Sequence, residues 1–351
     1  GKLLPFDLSV GIQKGLRLRE RVGHHVAQAV TGADQAGEIG FGRMDGDAAH
    51  RHRLAAALGL LSPWLVTLLA DHSQHLAWLL DLASHWQWLH LALLLGCLVL
   101  LAPRRPRWLL LAPLLALPWF SVAPMLPAQT GEVRLELRLV SANLQQSDDA
   151  AALRAWLDAQ PADLVLLQEV TPALARQLAS WQDYPHRVLA PEDSPFGLAL
   201  LSRQPLEGGR VLRDSDDIPR IEATLRSGAQ AISLSLVHPM PPLSPYWHHK
   251  RNLGLQVALQ RNAARGLPGL LAGDLNASPW SQATRELHAL GWYRANDLQA
   301  TWPALGLGWL GIAIDQVLVH GPWRVAEQHL GPDLGADHLP RRLHLQLLDN
   351  D

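Results

Sequence analysis

The 351-residue sequence predicts an α/β fold of four layers, in which two mixed β-sheets pack on each other and are flanked by helices, with three transmembrane helices ahead of them. Three observations lead there. Long charge-free apolar stretches are confined to the region before residue 132. From Val133 the pattern changes to short strand-like runs alternating with helices, and the strands outnumber the helices. Some neighbouring strands lie close enough in sequence to pair antiparallel, which argues for two packed mixed sheets.

Residues 1–50 are expected to form a poorly structured tail, because they are rich in Gly and lack sustained periodicity. The run Leu16–Arg21 is compatible with a short surface helix, and the first methionine is Met44. Residues 51–127 read as a membrane anchor. Leu54–Ala70 (17 residues), Leu82–Pro103 (22) and Trp108–Gly131 (24) contain no Asp, Glu, Lys or Arg. A hydrocarbon core of ~30 Å asks for about 20 such residues per helix. Helices are therefore expected at Leu54–Ala70, Trp86–Ala102 and Trp108–Met125. Trp64, Trp78, Trp86, Trp88, Trp108 and Trp119 lie in or beside them, several near their ends, as interfacial anchoring predicts. Arg51 and Arg53 precede the first helix, and Arg104, Arg105 and Arg107 fill the turn before the third. By the positive-inside rule both clusters are cytoplasmic. Three spans then put residues 128–351 on the outer face of the inner membrane, in the periplasm where there is one. The lipid bilayer is thus the first expected partner.

Charge and cysteine content narrow the function. Residues 1–129 hold 11 Lys and Arg against 8 Asp and Glu, a balance of +3, and residues 130–351 hold 19 against 24, or −5. A slightly acidic second half lacks the electropositive footprint of a non-specific duplex binder. The one cysteine, Cys97, lies in an apolar stretch, which excludes a disulfide framework and a cysteine-based metal site. Three short helices with only Arg, His and Asp at their margins offer no intramembrane charge pathway, which argues against transport.

In the second half, strands are expected at Val133–Asn143, Leu164–Val170, Arg187–Ala190, Phe196–Ser202, Arg220–Leu225, Ala231–His238, Gly269–Leu275, Ile314–Val319, Val325–Leu330 and Leu343–Leu348. Helices are expected at Asp148–Gln160, with Asp148 and Asp149 in its first turn, after Thr171-Pro172, where Pro suits the first helical position, and at Trp247–Arg265.

Polar residues collect at the ends of these strands. Asp274 and Asn276, in Gly273-Asp274-Leu275-Asn276, fall on the same side of a strand end by period-2 geometry, and together suit a cation or a phosphoryl oxygen. An Asx turn closing the strand is the plainer reading of those two residues alone. Asn143, Glu169 and His238 end other strands, and each taken singly reads as a surface, helix-start or loop residue. Asp337-His338 taken alone reads as a turn. Asp315 sits among Ile312, Ile314 and Val317, where an unpaired carboxylate costs several kcal/mol, so it needs a partner, and a histidine is the obvious one.

The ordered set Ser141-Ala142-Asn143, Leu167-Gln168-Glu169-Val170, Gly197–Ser202, Val237-His238, Gly273-Asp274-Leu275-Asn276, Ile314-Asp315 and Asp337-His338 resembles the endonuclease/exonuclease/phosphatase (DNase I-like) family over about residues 133–348. The prefix of apolar helices resembles a membrane-anchored bacterial branch of it. The resemblance implies a phosphoesterase that depends on Mg²⁺, or on Mn²⁺ in its place. Glu169, Asn143 and Asp337 would hold the metal, hard oxygen donors suiting Mg²⁺. His338 would be the general base, oriented by Asp315, and Asp274 would position the water or the leaving group. His238 and Asn276 would donate to the phosphoryl oxygens. The substrate would be a phosphodiester: nucleic acid, a phospholipid headgroup or a soluble ester. Two departures weigh against DNA repair. Gln145 stands where some nucleases of the family have an acid, and the Pro195-Phe196-Gly197 region lacks a tyrosine. A catalytically silent binding module on the same fold is the alternative in a different class.

Overall fold

The computed structural model describes residues 46–101, 106–304 and 311–349; the expected tail falls almost wholly outside them, as do Arg104 and Arg105. The described residues from Arg51 onward form one compact unit.

Two six-stranded sheets form its centre. The first runs β11-β12-β1-β2-β4-β3 and the second β5-β6-β7-β8-β10-β9. Their strands are β1 (Val133–Asn143), β2 (Leu164–Gln168), β3 (His186–Ala190), β4 (Leu198–Ser202), β5 (Leu206–Arg213), β6 (Pro219–Ser227), β7 (Gln230–Val237), β8 (Gly269–Asp274), β9 (Trp292–Arg294), β10 (Asp315–His320), β11 (Trp323–Leu330) and β12 (Arg341–Leu348). β1 and β2 pair parallel, as do β7 and β8, and every other strand pair is antiparallel. Both sheets are therefore mixed.

Residue parity sorts the layers. Leu164 and Leu166 of β2 face the second sheet, where they join Leu234, Leu236, Leu270 and Ala272. Val165 and Leu167 of the same strand face outward, against Leu153 and Trp156 of one helix and Leu174 and Leu178 of another. On the far side, Leu271 and Leu318 meet Leu255, Leu259 and Leu287. A strand buried on both faces needs an unbroken apolar run, which is what Leu164–Leu167 supplies.

The helices are α1 (Gly46–Leu69), α2 (Gln74–Ser84), α3 (Gln87–Leu101), α4 (Leu117–Ser121), α5 (Ala151–Ala159), α6 (Pro172–Ala179), α7 (Pro245–Ala263) and α8 (Gln282–Arg285), with 3₁₀ segments at Pro106–Ala116 and Glu286–Leu290. α5 begins at Ala151, later than expected, because Asp148 and Asp149 are spent outside it. Asp149 accepts from the Ala151 amide at 2.9 Å, and Asp148 accepts from the Thr171 hydroxyl at 2.6 Å. α7 begins earlier than expected, because Ser244 caps it by accepting from the Trp247 amide at 3.2 Å and Pro245 occupies its first position.

The expectation of three transmembrane helices is corrected. Among the described residues only α1, over Arg51–Leu69, is long and apolar enough to cross a membrane by itself, and 44% of it is buried within the protein. α2 and α3 reach that length only together and are bent by 72°. The third stretch is a 3₁₀ segment and a five-residue helix, interrupted by Pro113 and Pro118. Counting charges finds apolar length but is blind to such breaks.

These N-terminal helices have a small core of their own, with Ala56 and Leu60 against Leu94 and Leu98, while Leu58, Leu93, Val99, Leu110 and Phe120 are exposed. The chain then joins the edge strand β9 of the second sheet, where the Leu126 amide donates to the Arg294 carbonyl at 2.9 Å and the Arg294 amide donates to the Pro124 carbonyl at 3.2 Å.

On the outer face of β6, buried Glu222 accepts from Arg210, Arg220, Arg261 and Arg265 at 2.9–3.1 Å. Burial opposes its charge, but the four guanidiniums prevail and hold its carboxyl down at about 2. A depressed carboxylate adds stability above its unfolded value near 4.5 and loses it as pH falls toward 2. Glu222→Gln is thus expected to unfold more easily at pH 7 by about 2 kcal/mol, discounted because the arginines are partly exposed. In urea titrations that deficit should shrink below pH ~4.5 and close near pH 2.

Candidate active site

The topology gathers strand ends into one place. β8 packs across β1 and β2 between the sheets. Asn143 is the last residue of β1, Glu169 follows β2, His238 follows β7, and Asp274 ends β8. β10 runs antiparallel to β8 with Asp315 directly opposite Asp274. β12 runs antiparallel to β1 with Arg341 opposite Ser141, which delivers the preceding Asp337-His338 to the Asn143 end. All eight residues expected from the sequence therefore meet at one end of the sandwich.

Backbone geometry shows why glycine precedes Asp274. Gly273 has φ +146°, and a Cβ there would lie 1.9 Å from the Val237 carbonyl oxygen. The close approach lets β7 and β8 deliver His238 and Asp274 side by side. Glu169 (φ +59°) and Asn276 (φ +48°) are left-handed without being glycine. Asn tolerates this well, whereas for Glu it costs on the order of 1 kcal/mol, a strain concentrated at the site.

Asp274 is the hub. Its Oδ2 accepts from Asn143 Nδ2 at 3.2 Å and lies 3.5 Å from His238 Nε2 and 3.7 Å from His338 Nε2. Its Oδ1 accepts from the Asn276 amide at 2.8 Å. Asn143 Nδ2 also donates to Glu169 Oε1 at 3.1 Å. The Asn276 side chain donates to the Pro239 carbonyl at 3.0 Å, so one of its N–H groups is already committed. His238 packs on Phe196, in the region where the sequence has no tyrosine.

His338 Nδ1 and Asp315 Oδ2 are 2.8 Å apart. A carboxylate can only accept, so Nδ1 carries a proton and, in the neutral ring, Nε2 holds the lone pair. That nitrogen is buried, makes no hydrogen bond among the described residues, and faces Asp274 and, at 3.8 Å, Asp337 Oδ1. Asp337, a quarter exposed, forms the rim; its amide donates to Gln145 Oε1 at 2.9 Å and its Oδ2 accepts from Trp302 Nε1 at 3.2 Å.

Burial opposes charge on His338, but the carboxylates of Asp315, Asp274 and Asp337 prevail and push it up to about 9. His238 is raised in the same way by Asp274 and Glu169. Asp274 is held well below the usual carboxylate range, burial being outweighed by His338, His238 and the Asn276 amide.

The donor set fits a divalent cation. Glu169, Asp274, Asp315 and Asp337 outnumber His238 and His338, so the cluster stays negative even with both rings charged. The tightest group of ligand atoms among the described residues is Asp274, Asp315 and His338, all within 4.8 Å of one another. Within that trio the Nδ1–Oδ2 contact is a hydrogen bond, which marks Asp315 as the partner of His338. Glu169 and Asp337 flank the same space with carboxylate oxygens, while Asn143 turns its Nδ2 to Glu169 and Asp274 and its Oδ1 accepts from the Gln145 amide at 3.0 Å.

Some neighbours go beyond the residues expected from the sequence. Buried Arg341 donates to the Asp315 carbonyl at 2.6 Å and to Asp297 at 3.0 Å, and Thr301 Oγ1 accepts from the Asp315 amide at 3.3 Å. Arg251 donates to the Asn276 carbonyl at 2.7 Å. Only Arg341 carries a local signal, a charge at an inward-facing position of β12.

Two mixed sheets with helices on both outer faces, and this acid–histidine cluster at one end, define the DNase I-like class of fold. The chain belongs to the Endonuclease/Exonuclease/phosphatase family, whose model matches residues 140–338, more than half of the sequence. Members of that family are phosphodiesterases and nucleases, hydrolases that act on phosphoester bonds and generally depend on a divalent metal. An endonuclease/exonuclease/phosphatase from Beutenbergia cavernae is similar at TM-score 0.51 and 20% identity, over 61% of this chain and 72% of that one. One from Bacteroides vulgatus is similar at 0.50 and 14%, over 61% and 100%. Humanized D. rerio TDP2 is similar at 0.50 and 18%, over 60% and 98%. Identities this low show a shared fold. No curated protein matches the sequence.

Proposed function

We propose that the protein is a membrane-anchored phosphodiesterase, dependent on Mg²⁺ or Mn²⁺, whose catalytic site faces away from the cytoplasm. The observation that carries the chemistry is the Asp315–His338 pair, with Nε2 directed at Asp274 and Asp337. His338 Nε2 takes the proton of the attacking water. Asp315 keeps Nδ1 protonated, holds the ring in place and stabilises the imidazolium that forms. Asp274, fixed by Asn143 and the Asn276 amide, orients the water or the leaving group. His238 and the second N–H of Asn276 donate to the phosphoryl oxygens as charge builds there. Bound by Glu169, Asn143 and Asp337, a divalent cation would supply several kcal/mol of Lewis-acid stabilisation and offset the carboxylates that hold His338 protonated.

The anchor rests on α1 and on the leucines exposed around it. Arg51 and Arg53 at its start favour a cytoplasmic N-terminal side. One span, like three, carries the following domain to the far side of the inner membrane. A reporter fused after Asp351 is expected to be active only outside the cytoplasm, and cytoplasmic activity would contradict this topology. The substrate is a nucleic acid, a lipid headgroup or a soluble phosphodiester. Offering DNA, RNA, sphingomyelin and phosphoinositides to the full chain with Mg²⁺ separates these, and turnover of none would sink the hydrolase reading.

A further inference from the structure

The loop that leaves the catalytic strand β8 is held chiefly by the N-terminal helices. His85 Nδ1 accepts from the Ser278 amide at 3.2 Å, Trp280 Nε1 donates to the Pro118 carbonyl at 2.8 Å, and Ala123 donates to the Pro279 carbonyl at 2.6 Å. At the centre is Asp81 of α2, which is fully buried. Its Oδ2 accepts from Arg251 Nη2 at 2.6 Å and from Ser281 Oγ at 2.9 Å, and lies 3.1 Å from His248 Nε2. Its Oδ1 accepts from the Gln282 amide at 2.7 Å.

Arg251 carries the link onward. Its side chain is also fully buried, and its other terminal nitrogen donates to the Asn276 carbonyl at 2.7 Å. Asn276 in turn holds Asp274 Oδ1 through its amide and the Pro239 carbonyl, beside His238, through its side chain. A planar guanidinium can grip a carboxylate and a carbonyl at fixed relative positions, which a lysine cannot. Without Asp81 the guanidinium would be a buried charge lacking its carboxylate, and would have to leave the carbonyl to find water.

We infer that Asp81 is a positioning residue of the active site, acting through Arg251 on Asn276 and so on Asp274, and that the N-terminal helices are part of the catalytic unit. The inference rests on the phosphodiesterase reading of that site. Asp81 and Arg251 lie 170 positions apart in the sequence, so docking of α2 is the step that completes the site.

The test compares full-length wild type, Asp81→Asn, Arg251→Lys and Ser281→Ala with bis-p-nitrophenyl phosphate and Mn²⁺. Amide hydrogen exchange across residues 274–282 is measured in parallel. Asp81→Asn and Arg251→Lys are expected to lower kcat about 30-fold with KM within about twofold, since sub-ångström misplacement of reacting groups acts on the chemical step. Exchange across 274–282 should rise in both. Ser281→Ala removes one contact of Asp81 and one of Arg251 but leaves the Asp81–Arg251 and Arg251–Asn276 bonds in place, so its kcat should stay near wild type. If Asp81→Asn does not fold, Arg251→Lys carries the test. Unchanged kcat and unchanged exchange in the folded variants overturn the inference. A wild type that turns over no phosphodiester, with exchange still responding to Asp81→Asn, would instead overturn the phosphodiesterase reading and leave the link standing.

Discussion

His338→Ala is expected to lower kcat by about 10³-fold, the middle of the range for losing a positioned general base. The ring touches the site through Nε2 alone, because Nδ1 is committed to Asp315. Removing it deletes the proton acceptor while the Asp274 cluster keeps its other contacts, so KM should change little. Asp315→Asn should reduce kcat almost as far, since an amide at that position no longer requires a proton on Nδ1. The same pair makes a pH prediction for the cation-free chain. A histidine raised from about 6.5 to about 9 adds stability that is complete below pH 6.5 and is lost as pH rises through 9. The melting temperature should therefore fall between pH 6.5 and 9 in the wild type, and much less in His338→Ala. Activity has the opposite demand, because only the neutral ring can accept a proton. Added Mn²⁺ should shift the acid limb of the kcat profile below 9.

Glu169→Gln is the second large effect. The substitution keeps the shape and deletes one negative charge, leaving Asn143 and Asp337 to hold the cation. Activity is expected to fall at least 10³-fold, and calorimetry should show Mn²⁺ affinity reduced by a factor of ten or more. Stability should not follow. Glu169 shares the Asn143 Nδ2 with Asp274, so removing its charge relieves repulsion between carboxylates, and the cation-free variant is expected to melt no lower than wild type. Loss of function without loss of fold separates a ligand from a structural residue.

Much of this site is legible in the sequence because its residues end strands whose patterns are strong. Leu164–Leu167 reads as an apolar strand, and a polar residue just past such a run is placed at a sheet end. Asp315 among apolar neighbours requires a partner, and His338 lies 2.8 Å away. Other features leave no local trace. β5 contains Gly208-Gly209 and is largely exposed, so neither propensity nor alternation marks it. Asp81 falls in the loop between two apolar stretches and Arg251 in the polar run His248-His249-Lys250-Arg251, and neither carries a local mark of burial. Only the tertiary fold reveals them as one buried pair. The membrane region misleads for a related reason: charge-free length is local, whereas the 72° bend at His85-Trp86 accompanies docking of α2 on the catalytic domain.

The chemistry proposed for the Asp274 cluster is metal-assisted hydrolysis of a phosphodiester. Its most direct measurement is release of p-nitrophenol from bis-p-nitrophenyl phosphate by the purified full-length chain, before and after EDTA and on restoring Mg²⁺ or Mn²⁺. Turnover is expected that EDTA abolishes, that either metal restores, and that His338→Ala lacks. Turnover indifferent to EDTA, or equal in His338→Ala, would contradict it.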